Sequence, residues 1–310
     1  MEAVNAIIPV IFMLALGWLA RRMKILSAEH NAGLKKLIFS ILLPILVFNA
    51  TFTLSVDARY MQLTAFMLVL QCVTLALGFF VFRLLRSDYS NLSPYMMTTI
   101  EGGNAFYPLY IGLVGAGFSS YFVLLDIPGI FVVFLIIPLL LAKLGTGRAS
   151  LKEMLRNVYT NPVIVGLLAG LLLNVLGVSK LLAGTRVFEA YSSLMNAATA
   201  PIAPLILFTL GYSFSLGRGK LIPMVRTLIV RLILMGAGIA AAFVLFPWIR
   251  ADRALTIAVI LFLLSPPAFA YPIILEPLYR DEGDGAFCST YISLHMLVTV
   301  IAFAVLAIIM

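Results

Sequence analysis

The sequence predicts an all-α integral membrane protein with ten transmembrane helices in a 5+5 inverted repeat and two crossed, broken helices at spans 4 and 9. Three observations predict it: an apolar composition, ten separable apolar segments, and a pair of matched helix breaks. Hydrophobic residues make up 63% of the 310-residue chain, charged residues only 11%, and the mean hydropathy is +1.10. A soluble domain is about 45–50% apolar and about 25% charged. The chain is long enough for roughly ten spans of about 20 residues with short connections.

The segments fall near residues 3–20, 37–56, 60–82, 93–116, 119–142, 161–178, 188–214, 221–246, 254–278 and 286–310. The first has no basic region before it and no small-residue cleavage site after it, so it reads as a retained span. Residues 143–160, which carry Lys143, Arg148, Lys152, Glu153 and Arg156, form the longest polar connection. This linker is expected in the cytoplasm and divides the chain into repeats 1–142 and 161–310. An odd number of spans per half makes the second half enter the bilayer from the opposite side, giving an inverted repeat. Short matches support the duplication: Leu43-Pro44-Ile45 with Ala203-Pro204-Leu205, Phe80-Val81-Phe82 with Phe243-Val244-Leu245, and Tyr107-Pro108-Leu109 with Tyr271-Pro272-Ile273. Their offsets rise slowly, through 160, 163 and 164 residues.

With ten spans, one set of loops carries fifteen basic residues, Lys35 and Lys36 among them. The opposite set and the termini carry five: Arg59, Lys180, Arg186, Arg250 and Arg253. The base-rich side is expected to be cytoplasmic and both termini non-cytoplasmic, in a cell (inner or plasma) membrane. This bias accounts for the net charge of +8, which calls for no nucleic-acid partner. Cys72 and Cys288 lie in apolar runs and show no disulfide or metal pattern. No protease, hydrolase, Walker or dinucleotide motif is present, so no enzyme and no cofactor is expected. The acidic turn 281–284 is a weak metal signal and reads as the loop between spans 9 and 10.

The breaks are the features that bear on function. Gly102 and Gly103 lie six and five residues before Pro108, and Pro266 and Pro267 lie six and five residues before Pro272. Tyr107 and Tyr271 precede the two final prolines. Proline removes a helical N–H and crowds the preceding turn, and glycine weakens the helix further. Backbone groups freed inside a bilayer must be received by protein or by a wet cavity. Matched breaks in two halves point to a transporter's binding site at the midplane. Ordinary packing is the plainer reading, because Gly and Pro are common in membrane helices. Against it stand the matched positions and the depth, about 14 residues or 20 Å from each helix start.

Other candidates are weighed singly. Asn104 could hydrogen-bond a carboxylate or simply cap the half-helix. Glu101 could couple transport to a proton or cation, or pair with Arg226 or Arg231. Gln71 could join a cation site, or make a helix–helix hydrogen bond. Asp126 and Glu276 could be functional or merely interfacial. Arg231 could hold an anion or neutralise an acid, and Arg226 reads as a snorkelling side chain. His295 could relay protons, though a packing histidine is the commoner case.

The Asn161-Pro162 opening of span 6, the run from Pro204 to Gly211, the Ser265-Pro266-Pro267 break and Ser289-Thr290 with Ser293 in span 10 together resemble the auxin efflux carrier family. The resemblance covers essentially the whole chain. It implies an architecture like that of bile-acid symporters and sodium–proton antiporters, with a scaffold of spans 1, 2, 6 and 7 and a moving core of spans 3–5 and 8–10. It also implies substrates such as auxin, malate or malonate. The crossing segment 101–108 departs from the plant pattern, in which the asparagine lies further ahead of the proline, and the long plant loop is absent. A microbial small-anion carrier fits better than an auxin carrier.

The expected function is therefore secondary transport of a small organic anion by alternating access. A Na+- or H+-coupled symporter or antiporter of the bile-acid type is the alternative, and a sensor that kept the fold without moving substrate is a second. The expected partners are the organic anion and the lipid bilayer, with a homodimer left open.

Overall fold

The computed structural model describes residues 2–54, 58–85, 88–143, 156, 160–213 and 221–309, with backbone alone for residues 2–7, 104, 116, 134, 142 and 282. Most of the expected linker 143–160, and the loop ahead of residue 221, lie outside the described residues. Among the described residues all regular structure is helical. The long helices are α1 Glu2–Arg22, α2 Ala28–Phe52 and α3 Ala58–Leu85. After a broken stretch come α4 Tyr107–Val114 and α5 Ser119–Phe131, which runs on to Ile137–Lys143. The second half holds α6 Pro162–Val175, α7 Arg186–Ser213, α8 Leu221–Leu245, α9 Arg253–Leu263, the single turn α10 Tyr271–Ile274 and α11 Glu282–Ile309. Five of these are long and apolar enough to cross a membrane: α2, α3, α7, α8 and α11. α5, α6 and α9 are shorter apolar helices. Large apolar side chains such as Phe12, Phe80, Leu172, Ile222 and Ile301 point outward, as lipid contact requires and water would penalise.

Local chemistry sets the helix ends. Ser27 opens α2 through a capping box: its hydroxyl accepts from the His30 N–H, and the His30 ring accepts from the Ser27 N–H. α2 therefore begins about ten residues before its apolar stretch. Lys35 and Lys36, counted from sequence as loop residues, lie inside the helix. Asn161 caps α6, Thr185 caps α7 and Asp252 caps α9, each through a side-chain oxygen.

Three π turns share one cause. They span Ile38–Leu42, Gly102–Phe106 and Val132–Ile136, and each ends two residues before a proline: Pro44, Pro108 and Pro138. A proline cannot donate to the carbonyl four residues back, and its ring crowds that carbonyl. The helix widens by one residue just before it.

α1 packs along the C-terminal half of α7, and the C-terminal half of α2 packs along α6. Both contacts depend on glycine. A Cβ on Gly211 would stand 2.0 Å from the Leu14 carbonyl oxygen, and one on Gly17 would stand 2.0 Å from that of Phe208. On α6, a Cβ on Gly170 would stand 2.4 Å from the Phe48 carbonyl oxygen. Small residues let membrane helices approach this closely. Gly211→Ala should therefore force α1 from α7, because the obstacle is backbone. We expect a loss of about 1–3 kcal/mol, read as a lowered melting temperature in detergent. Unchanged melting would contradict this close approach.

α3 packs on α5, while α8 contacts α9, α11 and the 3-10 turn Tyr95–Met97. Between these helix groups lie the two broken stretches.

Candidate functional site

Residues 98–101 have no regular structure, and the chain then enters the π turn Gly102–Phe106. Thr99 takes φ +46°, a left-handed conformation that a β-branched residue adopts only under tertiary constraint. In the second half α9 ends at Leu263, and regular helix resumes only for Tyr271–Ile274. The second break is thus followed by one helical turn, not by the half-helix expected from the sequence. Pro272 stands in the first positions of this turn and Pro277 in the 3-10 turn Glu276–Leu278 after it, where it supplies no N–H to continue an α-helix.

The breaks free backbone groups, and several of these find partners across the fold. The Glu101 N–H donates to the Pro266 carbonyl at 2.7 Å, joining the two breaks directly. The Phe269 N–H donates to Glu101 Oε2 at 2.7 Å. Thr299 on α11 donates to the Leu264 carbonyl at 2.9 Å. Thr98 donates its hydroxyl to the Gln71 carbonyl at 2.7 Å, and the Thr99 and Tyr271 hydroxyls pair at 2.5 Å.

Arg231 of α8 does the most. Its guanidinium is fully buried, with Nη1 donating to the Met96 and Thr98 carbonyls at 2.6 and 3.0 Å, and Nη2 to the Thr99 and Ser265 carbonyls at 2.8 and 3.2 Å. A planar fork of five N–H donors suits such a cluster, and the carbonyl ends of broken helices carry partial negative charge. Its hydrogen-bond partners are backbone carbonyls of both breaks, where the sequence suggested an acid or an anion.

One face of the two joined breaks lines a cavity of about 550 Å³. Its opposite wall comes from α2 (Lys35, Phe39, Ser40, Leu43), the start of α6 (Asn161, Pro162, Val163) and the end of α7 (Thr209, Leu210, Ser213). On the side of the breaks, the crossing side of the expected architecture, stand Ile100, Glu101, Gly102 and Gly103, then Ala268, Phe269 and Ala270, with Asp126 and Gly129 of α5. The Asp126 carboxylate fills the space where a Gly102 side chain would be, with Oδ1 2.1 Å from the ideal Cβ position. Over Gly129, the Gln71 amide and Asp126 Oδ1 both lie within 3.8 Å of one point. Gln71 is 1% exposed, and neither its Oε1 nor its Nε2 has a hydrogen-bond partner among the described residues. Glu101 and Asp126 are close enough to interact electrostatically.

The sequence-named residues thus divide. Glu101, Gly102, Gly103 and Asp126 line the cavity, and Gln71 lies directly behind Asp126 and Gly129. Tyr107, Pro108, Pro266, Pro267, Tyr271 and Pro272 are absent from its walls. Tyr107 and Tyr271 are packed in the interior, and the prolines shape the backbone that others present. The side chain of Asn104 lies outside the described residues. His295 sits away from the cavity on α11, fully buried beside Arg231 and with its ring edge-on to Tyr291 at 6.1 Å. Neither of its ring nitrogens has a partner among the described residues. Sequence reasoning missed Lys35, Ser40, Thr209 and Ser213 as cavity residues. The early capping box at Ser27 was the one local signal that could have drawn Lys35 into the helix.

Helices with lipid-suited surfaces thus enclose a largely apolar cavity, with a few polar and ionisable groups, that ends on two broken segments. A family profile described as membrane transport protein matches residues 2–307. The chain belongs to this family, the auxin efflux carriers. A search among curated proteins finds no match. As an auxin efflux carrier family member the chain is an integral membrane transporter. Its cavity is then a place where cargo could reside.

Proposed function

We propose that this auxin efflux carrier family protein is a secondary carrier of a small organic anion, working by alternating access. The observation that carries the reading is the 550 Å³ cavity between the crossing segments and the α2–α6–α7 wall. Ligand sites of this size are ordinarily a few hundred cubic ångströms, apolar with a few converging polar groups. On this reading α1, α2, α6 and α7 form the scaffold, in line with their close pairwise packing. α3 to α5 and α8 to α11 form the core that moves against it. The ten spans would make two inverted repeats, 1–142 and 161–310, joined by linker 143–160, with both termini outside the cell. Lys35, Asn161 and Ser213 lie toward the helix ends beside the base-rich loops, so the cavity would face the cytoplasm.

Backbone N–H groups of the π turn at 102–106, with the Asn104 amide, would meet the anion. Glu101 and Asp126, backed by the unpartnered amide of Gln71, would accept the coupling proton or sodium ion. Buried polar groups without partners are uncommon and mark places where an ion or water belongs.

The test is a thermal-shift screen of purified protein against organic anions, with and without sodium, followed by flux in proteoliposomes. A bound ligand stabilises the state it binds. Stabilisation and flux by one anion are expected. Stabilisation without flux would favour a sensor, and the absence of stabilisation by any anion would defeat the reading.

A further inference from the structure

Among the described residues, three ionisable side chains line the cavity: Glu101 and Asp126 on the crossing side and Lys35 on α2 opposite them. The crossing side thus presents carboxyl groups, so an anion entering the cavity meets repulsion from whichever of them is ionised, and Lys35 is the base among the described lining residues that can receive it. In a site shielded from water that repulsion is several times stronger than in solution. The Lys35 wall also carries neutral polar groups, Ser40, Asn161, Thr209 and Ser213, three of which make hydrogen bonds within the protein. The Thr209 hydroxyl donates to the Ile206 carbonyl at 3.0 Å. Ser213 Oγ accepts from Asn31 at 3.2 Å. Asn161 Oδ1 accepts the Val163 N–H at 2.9 Å. Lys35 brings a full positive charge and three rotatable donors on a flexible stem. It also lies within electrostatic reach of Glu101 across the cavity.

We propose that Lys35 is the counter-charge for the transported anion, supplied by the α2 wall and determining that the cargo is anionic. In the empty cavity its field falls on Glu101. When a carboxylate enters, the ammonium turns to it, and the cargo bridges the α2 wall and the crossing segments. A neutral isostere of the cargo gains nothing from this ammonium. This inference rests on the proposed carrier function and assigns one side chain within the same cavity.

The experiment uses the full-length protein in detergent, with acetate, malonate and benzoate as probes and acetamide, malonamide and benzamide as their neutral counterparts. Wild type is expected to gain melting temperature with at least one carboxylate and not with its amide. Lys35→Met should weaken affinity for that carboxylate by roughly 10- to 150-fold, as loss of a charged hydrogen bond does. Lys35→Arg should retain most of the affinity, and Lys35→Gln replaces the methionine variant if that one does not fold. Wild-type affinity for the carboxylate in Lys35→Met or Lys35→Gln overturns the assignment of Lys35 while leaving the carrier reading in place. Equal stabilisation of wild type by a carboxylate and its amide also overturns it. A wild type that responds to none of the three carboxylates defeats the anion reading and this inference together.

Discussion

Arg231→Met is expected to unfold the crossing and lower stability more than any other single change considered. The substitution keeps length and apolar stem but removes donors from four buried carbonyls, those of Met96, Thr98, Thr99 and Ser265. Each orphaned acceptor costs about 1–3 kcal/mol when nothing replaces its partner. These costs are not additive, because water or local shifts relieve some of them. A net loss of about 3–5 kcal/mol is the scale known for breaking a buried charged pair. The melting temperature in detergent should fall sharply, and ligand binding should fall with it, since the guanidinium joins both breaks. Arg231→Lys should recover only part of the loss. An ammonium is a compact point charge and cannot present two nitrogens in one plane to carbonyls from separate segments. A methionine variant that melts with wild type would show that the breaks hold together without the guanidinium.

Glu101→Gln should act on coupling with little cost to the fold. Glu101 Oε2 accepts the Phe269 N–H at 2.7 Å, and a glutamine amide oxygen can accept the same bond. Its backbone N–H bond to Pro266 is untouched by the change. What disappears is the carboxylate within electrostatic reach of Lys35. Anion binding should therefore persist or tighten, while the dependence of flux on sodium or pH is lost. Three measurements on one variant decide it: melting temperature, anion affinity, and flux with sodium replaced by a large organic cation. Intact ion dependence would remove Glu101 from the coupling site and leave Asp126 with Gln71. A large fall in melting temperature with coupling unchanged would instead make Glu101 a strut between the two breaks.

The two predictions differ because one residue faces away from the cavity and the other into it, a distinction with no local signature in the sequence. Arg231 and Glu101 both read there as intramembrane charges of equal interest. Arg231's partners lie 34 to 135 residues away, and Glu101 meets Phe269 across 168 residues. The same holds for Lys35. The basic-residue tally treated it as a loop residue because its helix is polar at the start, and only the packing of α2 beside α6 and α7 puts it opposite Glu101.

The sequence by itself determined the membrane class, the all-helical character and the two stretches where regular helix is interrupted. Those properties are local. Hydropathy is a property of each residue, and a proline or glycine alters the backbone within a turn of itself, whatever surrounds it. Gly102, Gly103, Pro266 and Pro267 fall in the stretches that are not regular α-helix, and Pro108 stands just after the first of them. Tertiary structure alone decided which carbonyl each break gives to Arg231, which face of the crossing is hollow, and why Tyr107 and Tyr271 are interior packing rather than cavity walls. A freed backbone group can be satisfied by many partners at similar energy. The choice among them is made by whichever side chain the packing of distant helices brings within hydrogen-bond reach.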